Sequence, residues 1–118
     1  PRLERPTMAS NNEASAARTL ANVDRLIHEP ARLMILTILS AVDSADFLYL
    51  QRETELTKGN LSSHLTKLEE AGYIKIEKTY RNKIPLTLCS MTSSGRKAFN
   101  DYLAYMRNYL EKIEETQA

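Results

Sequence analysis

The sequence predicts an α+β chain, mainly helical, with one β-hairpin placed before a long last helix. Three features carry that prediction. Leu61, Leu65 and Leu68 recur at helical spacing, within about 60° of one another on a helix. After Gly72 the apolar period changes from helical to alternating. Near the end, Phe99, Leu103, Met106, Leu110 and Ile113 repeat at 4-3-4-3 spacing, as along a coiled-coil seam.

In chain order, residues 1–12 hold two prolines, two arginines and small polar residues, and are expected to form a flexible tail. From about Glu13 to His28, the stripe Ala16, Leu20, Val23 and Ile27 predicts a first helix. Pro30 suits the first turn of a second helix, ARLMILTILSAV (Ala31–Val42), which is apolar on most sides and therefore expected in the core. DSADF reads as a polar connection, followed by a short element over Phe47–Glu55 with Phe47 and Leu50 turned inward. Thr57 is a suitable N-cap for a helix over 58–71, and Gly72 a suitable left-handed stop.

YIKIEK (Tyr73–Lys78) then alternates as a half-buried strand, TYRNKIP reads as a polar connection, and PLTLCSM as the second strand. The residues alone allow two registers for that strand, with either Leu86 and Leu88 or Thr87, Cys89 and Met91 facing inward. Thr92 or Ser93 caps the last helix. The expectation is a single domain over 13–118, with a body at 29–92 flanked by helices at 13–28 and 93–115.

Composition narrows the function. The chain has 118 residues, ordinary apolar content and a formal net charge of +1. No apolar run approaches the roughly 18 residues of a membrane span, and no secretory leader is visible, so a cytoplasmic protein without membrane contact is expected. Cys89 is the only cysteine, and His28 and His64 are far apart. That excludes an intrachain disulfide and offers no metal spacing, so neither metal nor cofactor is expected. Charge is uneven: Lys58 to Lys83 carries six basic and three acidic residues, net +3, against net −2 elsewhere. A local basic stripe on a nearly neutral chain suits a defined anionic partner.

Two short helices joined by a tight turn and followed by a hairpin make a helix-turn-helix with a wing. The run TKGNLSSHLTKLEEAGYIKIEK, with the later TSSGRKAF (Thr92–Phe99), resembles the winged-helix transcriptional regulators of ArsR/MarR type, in their compact subgroup. The resemblance covers roughly Glu29 to Phe99, and NLSSHL-x-x-LEEAGYI is its most specific part. It implies a winged helix-turn-helix with long N- and C-terminal dimerisation helices. It also places Leu61, His64, Leu65 and Leu68 on the recognition helix, puts the wing tip at Arg81 to Lys83, and favours the register with Thr87, Cys89 and Met91 inward. Two departures stand out. Glu55 occupies a place where that family often has a turn glycine. The thiol pair of the metal-sensing members is missing from FLYLQRETEL.

Gly59, Asn60, Ser63, Thr66, Lys67 and Glu70 lie opposite the leucines. Small polar residues there are poor helix formers, but they let a helix approach the floor of a major groove about 12 Å wide. The expected base-reading residues are Lys58, Asn60, Ser63 and Lys67. Thr57, Ser62, His64, Lys75, Lys78, Arg81, Asn82 and Lys83 are expected on the backbone or the adjacent minor groove. Leu20, Val23 and Ile27, with Phe99, Leu103, Met106, Leu110 and Ile113, are the expected dimerisation residues.

The function expected is that of a homodimeric, sequence-specific regulator of double-stranded DNA. A repressor is favoured because the chain leaves no room for an activation domain, and any small-molecule effector is unspecified. The main alternative is a winged-helix module that binds protein in a larger assembly; an RNA-binding winged helix is a third. No catalytic set is visible: Ser63 and His64 are neighbours pointing about 100° apart on a helix, which makes no dyad. Cys89 reads as a small core residue. Tyr102, Tyr105 and Tyr109 read as the rim of an interface, with a small-ligand pocket as the alternative.

Overall fold

The computed structural model describes residues 11–117. They form α1 (Asn11–Ala21), α2 (Pro30–Ser40), β1 (Ala45–Asp46), α3 (Phe47–Thr54), α4 (Lys58–Glu70), β2 (Ile74–Arg81), β3 (Ile84–Met91) and α5 (Ser93–Gln117). The tail expected over 1–12 lies outside the described residues, except that Asn11 and Asn12 open α1. The chain divides into two compact units. One spans Asp24–Asp101, and the other combines α1 with the stretch of α5 from Tyr102 onward.

The larger unit is built around α2. Glu29 caps it, its carboxylate accepting from the Arg32 N–H at 2.8 Å, and Pro30 opens its first turn. Ala31, Ile35, Leu36 and Leu39 are buried on α2, meeting Leu50 of α3 and Leu61, Leu65 and Leu68 of α4 in one core. Each such leucine, if cut to alanine, would cost about 2–5 kcal/mol. The polar connection before α3 holds a short strand: β1 pairs antiparallel with β3 through Ala45–Cys89 and Asp46–Leu88, giving sheet order β1-β3-β2. A two-residue strand has no alternation to read, so it was invisible in the sequence pattern.

The turn between α3 and α4 is made without glycine. Glu55 adopts φ 59, its N–H donates to the Gln51 carbonyl at 2.9 Å, and buried Thr54 donates its hydroxyl to the Leu50 carbonyl at 2.7 Å. The left-handed turn that glycine often supplies is therefore kept by a glutamate. At the other end of α4, Gly72 (φ 80) closes a Schellman motif. Its N–H donates to the Glu69 carbonyl at 2.9 Å, and that of Tyr73 to the Leu68 carbonyl at 3.0 Å.

The hairpin is longer and tighter than its sequence pattern predicts. TYRNKIP is not a connection: β2 runs to Arg81, β3 starts at Ile84, and only Asn82 and Lys83 turn. Both have positive φ, 51 and 66, as a type I′ turn requires. The register is Ile74–Met91, Ile76–Cys89 and Lys78–Thr87, with Cys89 fully buried. Thr87, Cys89 and Met91 thus share the face of Ile74 and Ile76.

Past β3, Thr92 locks the start of α5. Its Oγ1 donates to the Gly72 carbonyl at 2.6 Å and accepts from the Gly95 N–H at 2.9 Å, and its own N–H donates to the Tyr73 carbonyl at 3.0 Å. Gly95 is obligatory here: a Cβ on it would lie 2.0 Å from the Tyr73 carbonyl oxygen. The T-x-x-G-R motif is therefore a packing joint.

In the smaller unit, α1 is held to α5 within one chain. The Tyr105 hydroxyl donates to the Thr19 carbonyl, and Lys112 reaches Thr19 Oγ1 at 3.1 Å and Ser15 Oγ at 3.3 Å. The first helix does not extend to His28 as its apolar stripe predicts; it ends at Ala21. Asp24 breaks it. Its carboxylate accepts from the Leu26 and Ile27 N–H groups at 3.0 and 3.1 Å, the local bonding by which Asp competes with a helix.

Candidate nucleic-acid interface

The geometry of α4 sorts the expected residues into two flanks and a crest. Thr57 caps the helix, its Oγ1 accepting from the Asn60 N–H at 3.1 Å. The first-turn N–H groups of Lys58 and Gly59 have no intrahelical carbonyl to bond. Leu61, Leu65 and Leu68 are buried, and Lys58, Asn60, Ser62, Ser63, Thr66 and Lys67 are all exposed.

Gly59 stands in open space on that crest. A Cβ placed on it would meet nothing within 4 Å. The fold does not require glycine there, although alanine would make a more stable helix.

Lys58, Ser62 and Thr66 border an open groove between α4, the start of α3 and the hairpin, where Lys78 and Thr87 face them. Asn60 and Lys67 lie on the other flank, in line with His64. The His64 ring is half-buried there, with its Nδ1 3.0 Å from Nη1 of Arg32. A guanidinium only donates, so Nδ1 accepts and the neutral ring carries its proton on Nε2. Glu29 Oε1 is 3.9 Å from the same nitrogen. Arg32 is nearly buried, and its Nε donates to the Leu26 carbonyl at 2.5 Å. This arginine, which ties α4 to α2, carries no signal in the sequence pattern of the basic stripe. Its signal is a cation inside an otherwise apolar helix.

On the hairpin, Lys75, Lys78, Arg81, Asn82 and Lys83 are exposed, and Lys75 pairs with Glu77 at 3.7 Å. No carboxylate occurs in the chain from Lys78 to Asn100, so beyond Glu77 every charged group on the hairpin is a cation.

The residues expected at a dimer interface separate by burial. Val23, Ile27 and Phe99 are buried within the single chain, and Leu20, Met106 and Ile113 are half-buried. Leu103 and Leu110 stand 40% and 54% exposed and so remain open to a partner. Tyr102 is buried, and Tyr105 and Tyr109 are half-buried. Cys89 is fully buried, and burial first, then the charges of Glu69 and Asp46, push its thiol up to about 11. Among the described residues no group of His, Cys, Asp and Glu could hold a metal, and no helix is long and apolar enough to cross a membrane.

Comparison with known proteins follows the same lines. Residues 31–110 match the family model of the winged helix DNA-binding domain. An uncharacterized protein of Methanocaldococcus jannaschii is 32% identical over 90 residues, covering 76% of this chain and 98% of its own length. A transcriptional regulator homologue from Pyrococcus horikoshii superposes with TM-score 0.72 at 24% identity, over 88% of this chain and 98% of its own. A MarR-family transcriptional regulator from Silicibacter pomeroyi shares the fold with TM-score 0.60 at 21% identity, over 86% of this chain and 67% of its own.

Proposed function

Because the chain belongs to the winged helix DNA-binding domain family, we propose that it is a dimeric repressor that reads a specific duplex sequence with α4 in the major groove and the β2–β3 wing on the neighbouring backbone or minor groove. The observation that carries this reading is the cleared crest of α4. Gly59 is kept where a side chain would be free to stand, beside exposed Asn60 and Ser63. Asn60 is the residue suited to adenine, and Lys58 and Lys67 to guanine or phosphate. His64, with Nδ1 held by Arg32, offers Nε2–H to a phosphate. Ser62, Thr57 and the wing cations Lys75, Lys78, Arg81 and Lys83 complete the backbone contacts, with Asn82 at the turn.

Leu103, Met106, Leu110 and Ile113 are the stripe proposed to join two chains. A two-fold pair would set its recognition helices about one DNA turn, ~34 Å, apart. The competing reading, a protein-binding module, needs an apolar patch on the same surface. The crest of α4 has none, although Leu48 at the start of α3 is 71% exposed.

The test is fluorescence anisotropy of a labelled mixed-sequence duplex across a salt series. Binding should weaken steeply, with a log–log slope of about −0.9 for each phosphate neutralised. No binding at low salt would transfer the surface to a protein partner. Preference for single-stranded or structured RNA over duplex would transfer it to RNA.

A further inference from the structure

The outer half of the hairpin makes no contribution to the core. β3 pairs with β1 only at Leu88 and Cys89, and every residue from Glu77 to Pro85 is exposed. At the end of this free ribbon two large apolar side chains stand in water, Tyr80 at 72% and Ile84 at 66% exposure. Tyr80 has a structural account, since it faces Pro85 across the ribbon, and aromatic cross-strand pairs stabilise a hairpin. Ile84 has none. Its cross-strand partner is Arg81, and it adjoins the Asn82–Lys83 turn.

The company Ile84 keeps indicates what could cover it. Arg81 and Lys83 lie beside it, Lys78 is on the same ribbon, and no carboxylate follows until Asp101. The partner is therefore polyanionic, yet it must also offer apolar surface. Isoleucine can neither bond a phosphate nor read the donors and acceptors of a groove edge. In the minor groove, where no thymine methyl is presented, the apolar surface within reach is sugar and the face of a base pair exposed when a step opens.

We propose that Ile84 is an apolar wedge that the wing tip presses between base pairs from the minor groove, with Arg81 and Lys83 on the flanking phosphates. This rests on the DNA reading above and adds a mode of recognition to it. A wedge unstacks the step it enters and bends the duplex, and the cost is lowest at flexible TA and CA/TG steps. Part of the sequence preference then comes from deformability under the wing, at positions where no hydrogen bond is made.

The experiment uses the full chain and a duplex recovered by in vitro selection with it, carrying donor and acceptor dyes at its two ends. The wild type is expected to bring the ends together on binding. Ile84→Ser is expected to melt at the wild-type temperature, to bind about tenfold more weakly for the loss of one buried aliphatic side chain, and to leave the duplex nearly straight. Its salt slope should be unchanged, because every cation is kept, and Ile84→Leu should restore the bend. A duplex that stays straight under the wild type, or bends equally under Ile84→Ser, overturns the wedge and leaves the DNA reading intact. A change in the sedimenting mass of the free protein with Ile84→Ser also overturns it, because the tip would then be a contact between chains. Failure of the wild type to select any duplex defeats the DNA reading itself, a result distinct from binding without bending.

Discussion

Asn60 and Arg81 are both exposed polar residues on the basic segment, yet their chemistry separates them. An amide can pair bidentately with one base, whereas a guanidinium on the wing meets the phosphates or floor common to many sequences. Asn60→Ala should therefore reduce discrimination between a selected duplex and its single-base variants by about 1–3 kcal/mol. Arg81→Ala should weaken all duplexes alike and make the salt slope shallower by about one. Equal, uniform losses in a competition titration would mean that α4 is not the reading element.

Cys89 lies at the opposite extreme of exposure. Its thiol is fully buried and its pKa raised to about 11, so it should react with a thiol reagent only as fast as the chain unfolds. The same shift bears on alkaline stability. The unfolded thiol, at its ordinary value of 9.0, loses its proton first, so the contribution of this group is whole below that pH and is lost between there and about 11. Rapid modification of the folded chain at neutral pH would contradict the burial.

Among the elements, two joints hold α4, one at each of its ends. At its far end Gly95 sits against the Tyr73 backbone, where a Cβ has no space. Gly95→Ala should cost about 3 kcal/mol or more, because a backbone neighbour cannot step aside as a side chain can; a thermal or urea melt would show it. At the near end the α3–α4 turn survives with Glu55 in a left-handed conformation.

The elements differ in how far their sequences reveal them. α4 was legible from three leucines, an N-cap threonine and Gly72, since each is a local signal and all agree. The long hairpin was only half legible. Its turn is Asn-Lys rather than Asn-Gly, so a lysine is held at positive φ by the pairing around it, and the polar run carries no local hairpin signal. The first helix was overread because Ala16, Leu20, Val23 and Ile27 keep helical spacing across the point where Asp24 turns the chain. Their burial is real, and only their conformation differs. Arg32 stayed hidden because its partners, His64 and the Leu26 carbonyl, are brought to it by the tertiary fold.

For the whole molecule, one chain carries one α4 and one β2–β3 hairpin. The exposed Leu103 and Leu110 on α5, with Met106 and Ile113 beside them, are what a second copy would cover. Leu103→Glu with Leu110→Glu should give a monomer by sedimentation, with the fold retained and duplex affinity reduced by at least tenfold, since two linked helices act at a shared effective concentration. An unchanged mass would remove α5 from the interface.

If α4 keeps its crest clear for a duplex, filling that space with Gly59→Gln should block the approach. The new side chain enters open space in the folded chain and replaces a poor helix former with a good one. Melting and duplex titration of that variant beside the wild type should show a gain in stability of up to about 1 kcal/mol together with a loss of binding. Undiminished affinity for the selected duplex would contradict the claim, because nothing would then be approaching the crest of α4.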